Sequence, residues 1–227
     1  MKKLLFNSLL IFWSFVSFGQ VTGGYNSNLD NLKQLSIDVE NRNIVEGVYV
    51  DGSPYLEKEY IKGVFYLKNS NPIESLMRIN LFKNNFEFEI NKSVRVVDPH
   101  SIDSVICNSN VFLYKTFEYE GKTGSRIIKK LYTSGKASIY SFTQIVFKDA
   151  VKAEGYVEPK PPTFLRYDPV TIIEANDIIF PLTNFNKLYK TFPDKAAELK
   201  KFIKENKINR NDINDLKLLT AFLDKTI

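Results

Sequence analysis

Leu76-Met77-Arg78-Ile79-Asn80-Leu81-Phe82, then Lys83-Asn84-Asn85, then Phe86-Glu87-Phe88-Glu89-Ile90, reads as two β-favouring runs joined by a polar turn. In the second run Phe86, Phe88 and Ile90 alternate with Glu87, Glu89 and Asn91. Successive strand side chains point to opposite faces, so this period of two separates apolar from polar groups. The arm is a half-buried antiparallel strand, with Glu87 and Glu89 expected on its solvent face.

The same texture continues on both sides of the hairpin. Val48–Val50 precedes the turn Asp51-Gly52-Ser53-Pro54, and Tyr60–Leu67 ends at Asn69-Ser70-Asn71-Pro72. Val94–Val97, Ser104–Cys107, Val111–Tyr119, Arg126–Thr133 and Ser138–Phe147 follow, with Gly121-Lys122-Thr123-Gly124 and Ser134-Gly135 as turns. Thr163–Tyr167 and Val170–Ala175 are two further strands. They lie beyond the proline-rich connector Val157-Glu158-Pro159-Lys160-Pro161-Pro162, read as a rigid crossover within one domain. Strands at roughly ten-residue spacing with short turns predict an antiparallel meander, sandwich or open barrel.

After Phe180 the period changes. Thr191-Phe192-Pro193-Asp194 starts a helix, with proline tolerated in its first turn and Asp194 at the positive end of the dipole. Ala196, Leu199, Phe202 and Ile203 form its apolar face. A second helix opens at Asn211 or Asp212, with Ile213, Leu216, Leu219, Phe222 and Leu223 on its apolar face. The predicted fold class is α+β: a mainly antiparallel β body over 45–180 and two C-terminal amphipathic helices within 185–227.

Residues 1–19, MKKLLFNSLLIFWSFVSFG, carry a basic pair, a short apolar run and small residues at Ser17 and Gly19. This is the pattern of a cleaved signal peptide, with cleavage expected between Gly19 and Gln20. The run is short for a span of about 20 residues and is interrupted by Asn7, Ser8 and Ser14. No transmembrane span is expected after cleavage. The expected location is the periplasm, or outside the cell, with peripheral association to the outer membrane. Position 20 is Gln rather than Cys, so the protein is not expected to be a lipoprotein. Residues 20–227 are read as a single mature domain, long enough to bury one substantial core.

Losing Lys2 and Lys3 lowers the formal net charge from +5 to +3. Neither basic segment, Arg126 with Lys129 and Lys130, or Lys200 with Lys201 and Lys204, forms the long stripe that nucleic-acid binding needs. Cys107 is the single cysteine and sits in an apolar run after Val105 and Ile106, which predicts a small buried hydrophobe and no intramolecular disulfide. One His and one Cys cannot supply the three or four ligands of a zinc site, so no metal and no cofactor is expected. His100 lies with Asp98 and Ser101 in a turn, where proximity in sequence is no evidence for a catalytic relay. Glu87 and Glu89 are the candidate carboxylate pair for glycoside hydrolysis, and the solvated reading is preferred. No catalytic residue is assigned, and the protein is expected not to be an enzyme.

Aromatic content is high, at 14% with 18 Phe and 12 Tyr. Phe is read as core, whereas Tyr114, Tyr119, Tyr132 and Tyr140 are the candidate binding residues, because tyrosine rings on strands stack on sugars or anchor interfaces. The partner expected is an envelope protein or a glycan. Ser17-Phe18-Gly19-Gln20, the segment Gly52-Ser53-Pro54-Tyr55-Leu56 with Ile61-Lys62-Gly63, and the ending from Phe192-Pro193-Asp194-Lys195 to Lys204-Glu205-Asn206-Lys207 resemble uncharacterised exported (periplasmic) proteins of Bacteroidota. That resemblance implies an envelope location and a non-enzymatic binding or structural accessory role, and it transfers no activity. The alternative role is a periplasmic carrier of lipid or another apolar ligand.

Overall fold

The hairpin forms where its pattern places it. In the computed structural model, which describes residues 32, 36–38, 49–90, 93–152 and 158–227, its arms are Ile73–Asn80 and Asn85–Ile90. In chain order the strands of the first half are β1 (Ser36–Asp38), β2 (Ile61–Leu67), β3 (Ile73–Asn80), β4 (Asn85–Ile90), β5 (Ser93–Val97), β6 (Ile102–Cys107) and β7 (Asn110–Tyr119). Those of the second half are β8 (Lys122–Ser134), β9 (Ala137–Phe142), β10 (Ile145–Lys148), β11 (Thr163–Arg166), β12 (Val170–Ala175) and β13 (Ile178–Pro181). Eleven make one sheet in the order β1-β5-β4-β3-β2-β6-β7-β8-β9-β12-β13, every pairing antiparallel, and β10 with β11 forms a separate ribbon.

Turn chemistry sets several of these registers. Asn108-Ser109 between β6 and β7, and Asn176-Asp177 between β12 and β13, both have two consecutive positive φ angles. That is the twist of two-residue hairpin turns, which short polar side chains tolerate.

The sheet bends twice, in opposite senses. β5 and β6 lie four strand spacings apart in the order, about 19 Å if the sheet were flat. Only residues 98–101 connect them, they include a 3₁₀ turn, and even fully extended they span about 17 Å. The first half must therefore curl, and its interior rings show that it does. Phe86 on β4 meets Tyr114 on β7 at 5.4 Å between centroids, and Phe65 packs edge-on against Phe86 and Phe88. Met77, Val105, Phe112 and Ile127 belong to the same buried core. The second half curls toward the other face. There Phe117, Ile128, Tyr140, Phe142 and Ile172 pack together, and Lys115 on β7 reaches Glu174 on β12 at 2.6 Å.

Three helices cover the outside of this second curl: α1 (Phe185–Thr191), α2 (Ala196–Glu205) and α3 (Ile213–Thr226). Leu188, Leu199, Ile203, Leu216, Leu219 and Leu223 bury against Ile139, Ile173 and Phe180. Ala137 and Ala175 stand opposite each other in register and give the helices room to approach. Asp212 caps α3 by accepting hydrogen bonds from Asn214 N and Asp215 N. The fold is thus α+β, a largely antiparallel open sheet with C-terminal helices. Among the described residues no helix is long and apolar enough to cross a membrane.

Several local expectations change. Pro193–Lys195 is a 3₁₀ turn, and α2 starts three residues later than Pro193. The short α1 and β13 were not anticipated. Ser138–Phe147 is two strands, because the chain leaves the main sheet at Thr143-Gln144 and pairs its remainder with β11. Tyr49 and Val50 belong to no strand, and Val48 lies outside the described residues. Ile213, at the first turn of α3, is exposed rather than covered. The signal-peptide reading falls on residues 1–19, also outside the described residues.

Candidate binding cleft

Residues 51–60 form no regular element, yet they are tied down along their length. Asp51 N donates to Pro162 O and Phe164 N donates to Asp51 O, both at 2.9 Å, which holds the segment to the ribbon. Leu56 N donates to Ile79 O and Leu81 N donates to Pro54 O, also at 2.9 Å, which holds it to the hairpin. Gly52 has φ +75°, and a Cβ there would collide with the Phe164 carbonyl oxygen. The Arg166 guanidinium donates to the carbonyls of Tyr55 and Leu56. Phe82, Phe147 and Phe164 then join hairpin and ribbon through ring contacts of 5.1–6.4 Å. The segment is a strap that runs beside β3, with Tyr55 bridged antiparallel to Asn80, and its Tyr55 and Tyr60 side chains reach Arg78 on the outer face.

Under the strap lies Glu87, which corrects the expectation of a solvent-facing carboxylate. Glu87 is 2% exposed; its alternation with Phe86 and Phe88 holds, but the strap covers the face it points to. Arg78 Nε donates to Glu87 Oε2 at 2.9 Å and Asn80 Nδ2 donates to Oε1 at 2.8 Å. The Arg78 guanidinium is sandwiched between Tyr55 and Tyr60, 3.8 and 4.6 Å from the ring centroids. Burial, with the nearby Glu87 charge, raises the Tyr55 hydroxyl above its ordinary pKa, and burial is the main cause of the rise at Tyr60. Glu89, two residues on, is exposed, so the pair shares neither environment nor hydrogen-bonding partners.

Between strap, ribbon and sheet the molecule leaves a cleft of about 380 Å³. Its floor is a row across three strands: Phe112 on β7, Lys129 on β8 and Ser141 on β9 are directly paired in register, with Ile127 beside them. Leu56, Glu57 and Leu81 line the strap side, and Arg166, Tyr167, Asp168 and Pro169 the other. The cleft exists because the first core ends at Phe112 and Ile127, whereas the helix layer begins only at Ala137 and Ile139 on the same face. Its size is within the range of small-molecule sites, about 300–1,000 Å³.

The four candidate tyrosines do not converge on one surface. Tyr114 lies inside the first curl, where its hydroxyl donates to Asn84 O at 3.2 Å and burial raises its pKa. Tyr119 packs on Phe142 at 5.2 Å at the rim of the second curl. Tyr140 is inside that curl and donates to Glu174 Oε2 at 2.5 Å. Burial, then that hydrogen bond, pushes its hydroxyl up to about 12. Tyr132 packs against the helix layer, with the Lys217 ammonium 5.9 Å from its ring.

The remaining candidates resolve individually. Cys107 is buried, and burial pushes its thiol up to about 11, away from the reactive thiolate. His100 is exposed in its turn, where its own N–H donates to Asp98 Oδ1 at 3.0 Å. Among the described residues no three His, Cys, Asp or Glu side chains converge as a metal site. Alternation separates the basic trio: Lys130 is exposed, Arg126 lies over Phe117 and Phe142, and Lys129 lines the cleft. Sequence reasoning missed the cleft, and the only signal toward it was Lys129 within that trio. No protein-family model matches this chain, and neither the curated proteins nor the solved structures contain a match to it.

Proposed function

We propose that this is a non-enzymatic binding protein of the cell envelope that takes a small ligand in the cleft between strap, ribbon and sheet. The carrying observation is the cleft itself, about 380 Å³, with Phe112, Lys129 and Ser141 across its floor, Ile127 beside them and Arg166 tied to the strap on its wall. The envelope location rests on the leader-like residues 1–19 and on the resemblance to exported Bacteroidota proteins. Native mass spectrometry of protein recovered from the envelope fraction tests the reading. Wild type should retain a small-molecule adduct, and Ser141→Trp, which fills the floor, should not while melting normally. Identical spectra for the two proteins would overturn it.

A second reading, carriage of lipid or another apolar ligand, is favoured by one separate observation. A groove of about 500 Å³ crosses the outer face of β3, β2 and β6 over Gly63, lined by Val64, Leu76 and Ile106. Leu76 is 53% exposed there. Solvent extraction of the purified protein followed by lipid mass spectrometry distinguishes this reading from the first.

A further inference from the structure

Two other half-buried cations are matched by acids, and a third, Arg126, is satisfied by the backbone carbonyls of Gly124 and Lys122. Arg78 meets Glu87 at 2.9 Å, and Lys115 meets Glu174 at 2.6 Å. Lys129 is also half-buried, in register between Phe112 and Ser141, yet no acid of the described residues comes within ion-pair distance of its ammonium. Desolvating an ammonium is costly unless a counter-charge completes it. A core lysine serving packing alone would gain from a nearby carboxylate, and this one faces a cleft instead.

The opposite wall carries a second cation in a fixed position. Both hydrogen bonds of Arg166 to the strap, to Tyr55 O and Leu56 O, use Nη2. Its other guanidinium donors remain for something else, because the group has five in all. Glu57 and Asp168 share the cleft and make its four charged groups sum to zero. A multiply charged anion would be repelled by those acids, whereas one negative group placed on the floor would meet Lys129. Phe112, paired in register with Lys129, and Ile127 line the same cleft and suit an apolar body next to the charge.

Resting on the reading of the cleft as a ligand site, we infer that it binds a small monocarboxylate with an apolar body, its carboxylate on Lys129 and within reach of Arg166. The charge-assisted hydrogen bond fixes one end, and Phe112 and Ile127 accept the other.

Phenylbutyrate and its neutral analogue phenylbutanol are the probes, titrated by calorimetry against the mature protein. The acid should bind wild type about ten-fold or more tighter than the alcohol, the preference a charge-assisted contact supplies. Lys129→Met should abolish that preference without lowering the thermal melt, and Lys129→Arg should keep it. Equal binding of acid and alcohol to wild type, or no binding of the acid, would overturn the inference; adduct loss in Ser141→Trp would still uphold the cleft. Binding of the acid that Ser141→Trp does not weaken would overturn both.

Discussion

Asn84, in the turn between β3 and β4, and Ile127, on β8, are far apart in the sheet order, and one side chain joins them. The Asn84 Oδ1 accepts from Ile127 N at 2.7 Å, and its Nδ2 donates to Ser125 O at 2.9 Å. The tip of the β3–β4 hairpin is thereby pinned onto β8, which closes the first curl around its phenylalanines. Tyr114 adds a third bond, from its hydroxyl to Asn84 O at 3.2 Å.

This pin separates into two measurable parts, because Asn84 also holds a left-handed conformation at φ 56°. Asn84→Gly keeps that conformation and loses both side-chain bonds, at an expected cost of about 1–2 kcal/mol. Asn84→Ala should lose about 1 kcal/mol more through backbone strain. Urea midpoints in the order wild type, Gly, Ala check this; equal midpoints for the two variants would remove the strain contribution.

The ion pair under the strap yields a second expectation. Arg78→Met leaves a carboxylate 2% exposed without its counter-charge. Removing one partner of a buried pair costs about 3–5 kcal/mol. Glu89→Gln, on the exposed neighbour, should shift stability by less than about 0.5 kcal/mol. Chemical denaturation of the two variants should show that contrast, and a similar small effect for both would place Glu87 in solvent.

That contrast shows what alternation does and does not reveal. Phe86, Glu87 and Phe88 announce opposite faces, and the structure keeps them apart. What covers each face depends on a strap closed by residues more than a hundred positions away, Pro162, Phe164 and Arg166. The amphipathic helices were legible because Leu199, Leu216 and Leu223 repeat locally; β13 and α1 are four and seven residues long and carry too little pattern. Lys129 was visible as a basic residue, but its lack of an acid partner is a property of three strands in register with a distant strap.

Alkaline titration gives a pH prediction. Tyr140 is held up to about 12 by burial and by its bond to Glu174, against about 10 for an unfolded tyrosine. The folded state therefore prefers the protonated hydroxyl. Its contribution is complete below about pH 10 and is lost as pH rises through about 12. Between those limits wild type should lose about 2–3 kcal/mol relative to Tyr140→Phe. Urea midpoints measured across that window should converge; parallel pH profiles would place the Tyr140 hydroxyl in an unperturbed environment.

The helix layer supplies the last prediction. Sequence pattern alone makes Phe202 a covering residue whose loss costs about 3–5 kcal/mol, the range for a buried phenylalanine. In the structure Phe202 is half-buried and lies flat on Phe222, with centroids 4.0 Å apart and planes at 13°, so a stacked pair joins α2 and α3. Phe202→Ala should then cost less, about 2 kcal/mol, because part of the ring already faces water. Leu219→Ala, fully buried against the sheet, should cost about 2–5 kcal/mol. A double-mutant cycle of Phe202 and Phe222 should return a coupling of about 0.5–1.5 kcal/mol beyond area burial. Thermal melts settle the choice between packing and partner docking. Were the stacked pair a docking surface for another molecule, Phe202→Ala would leave the melt unmoved and the coupling near zero.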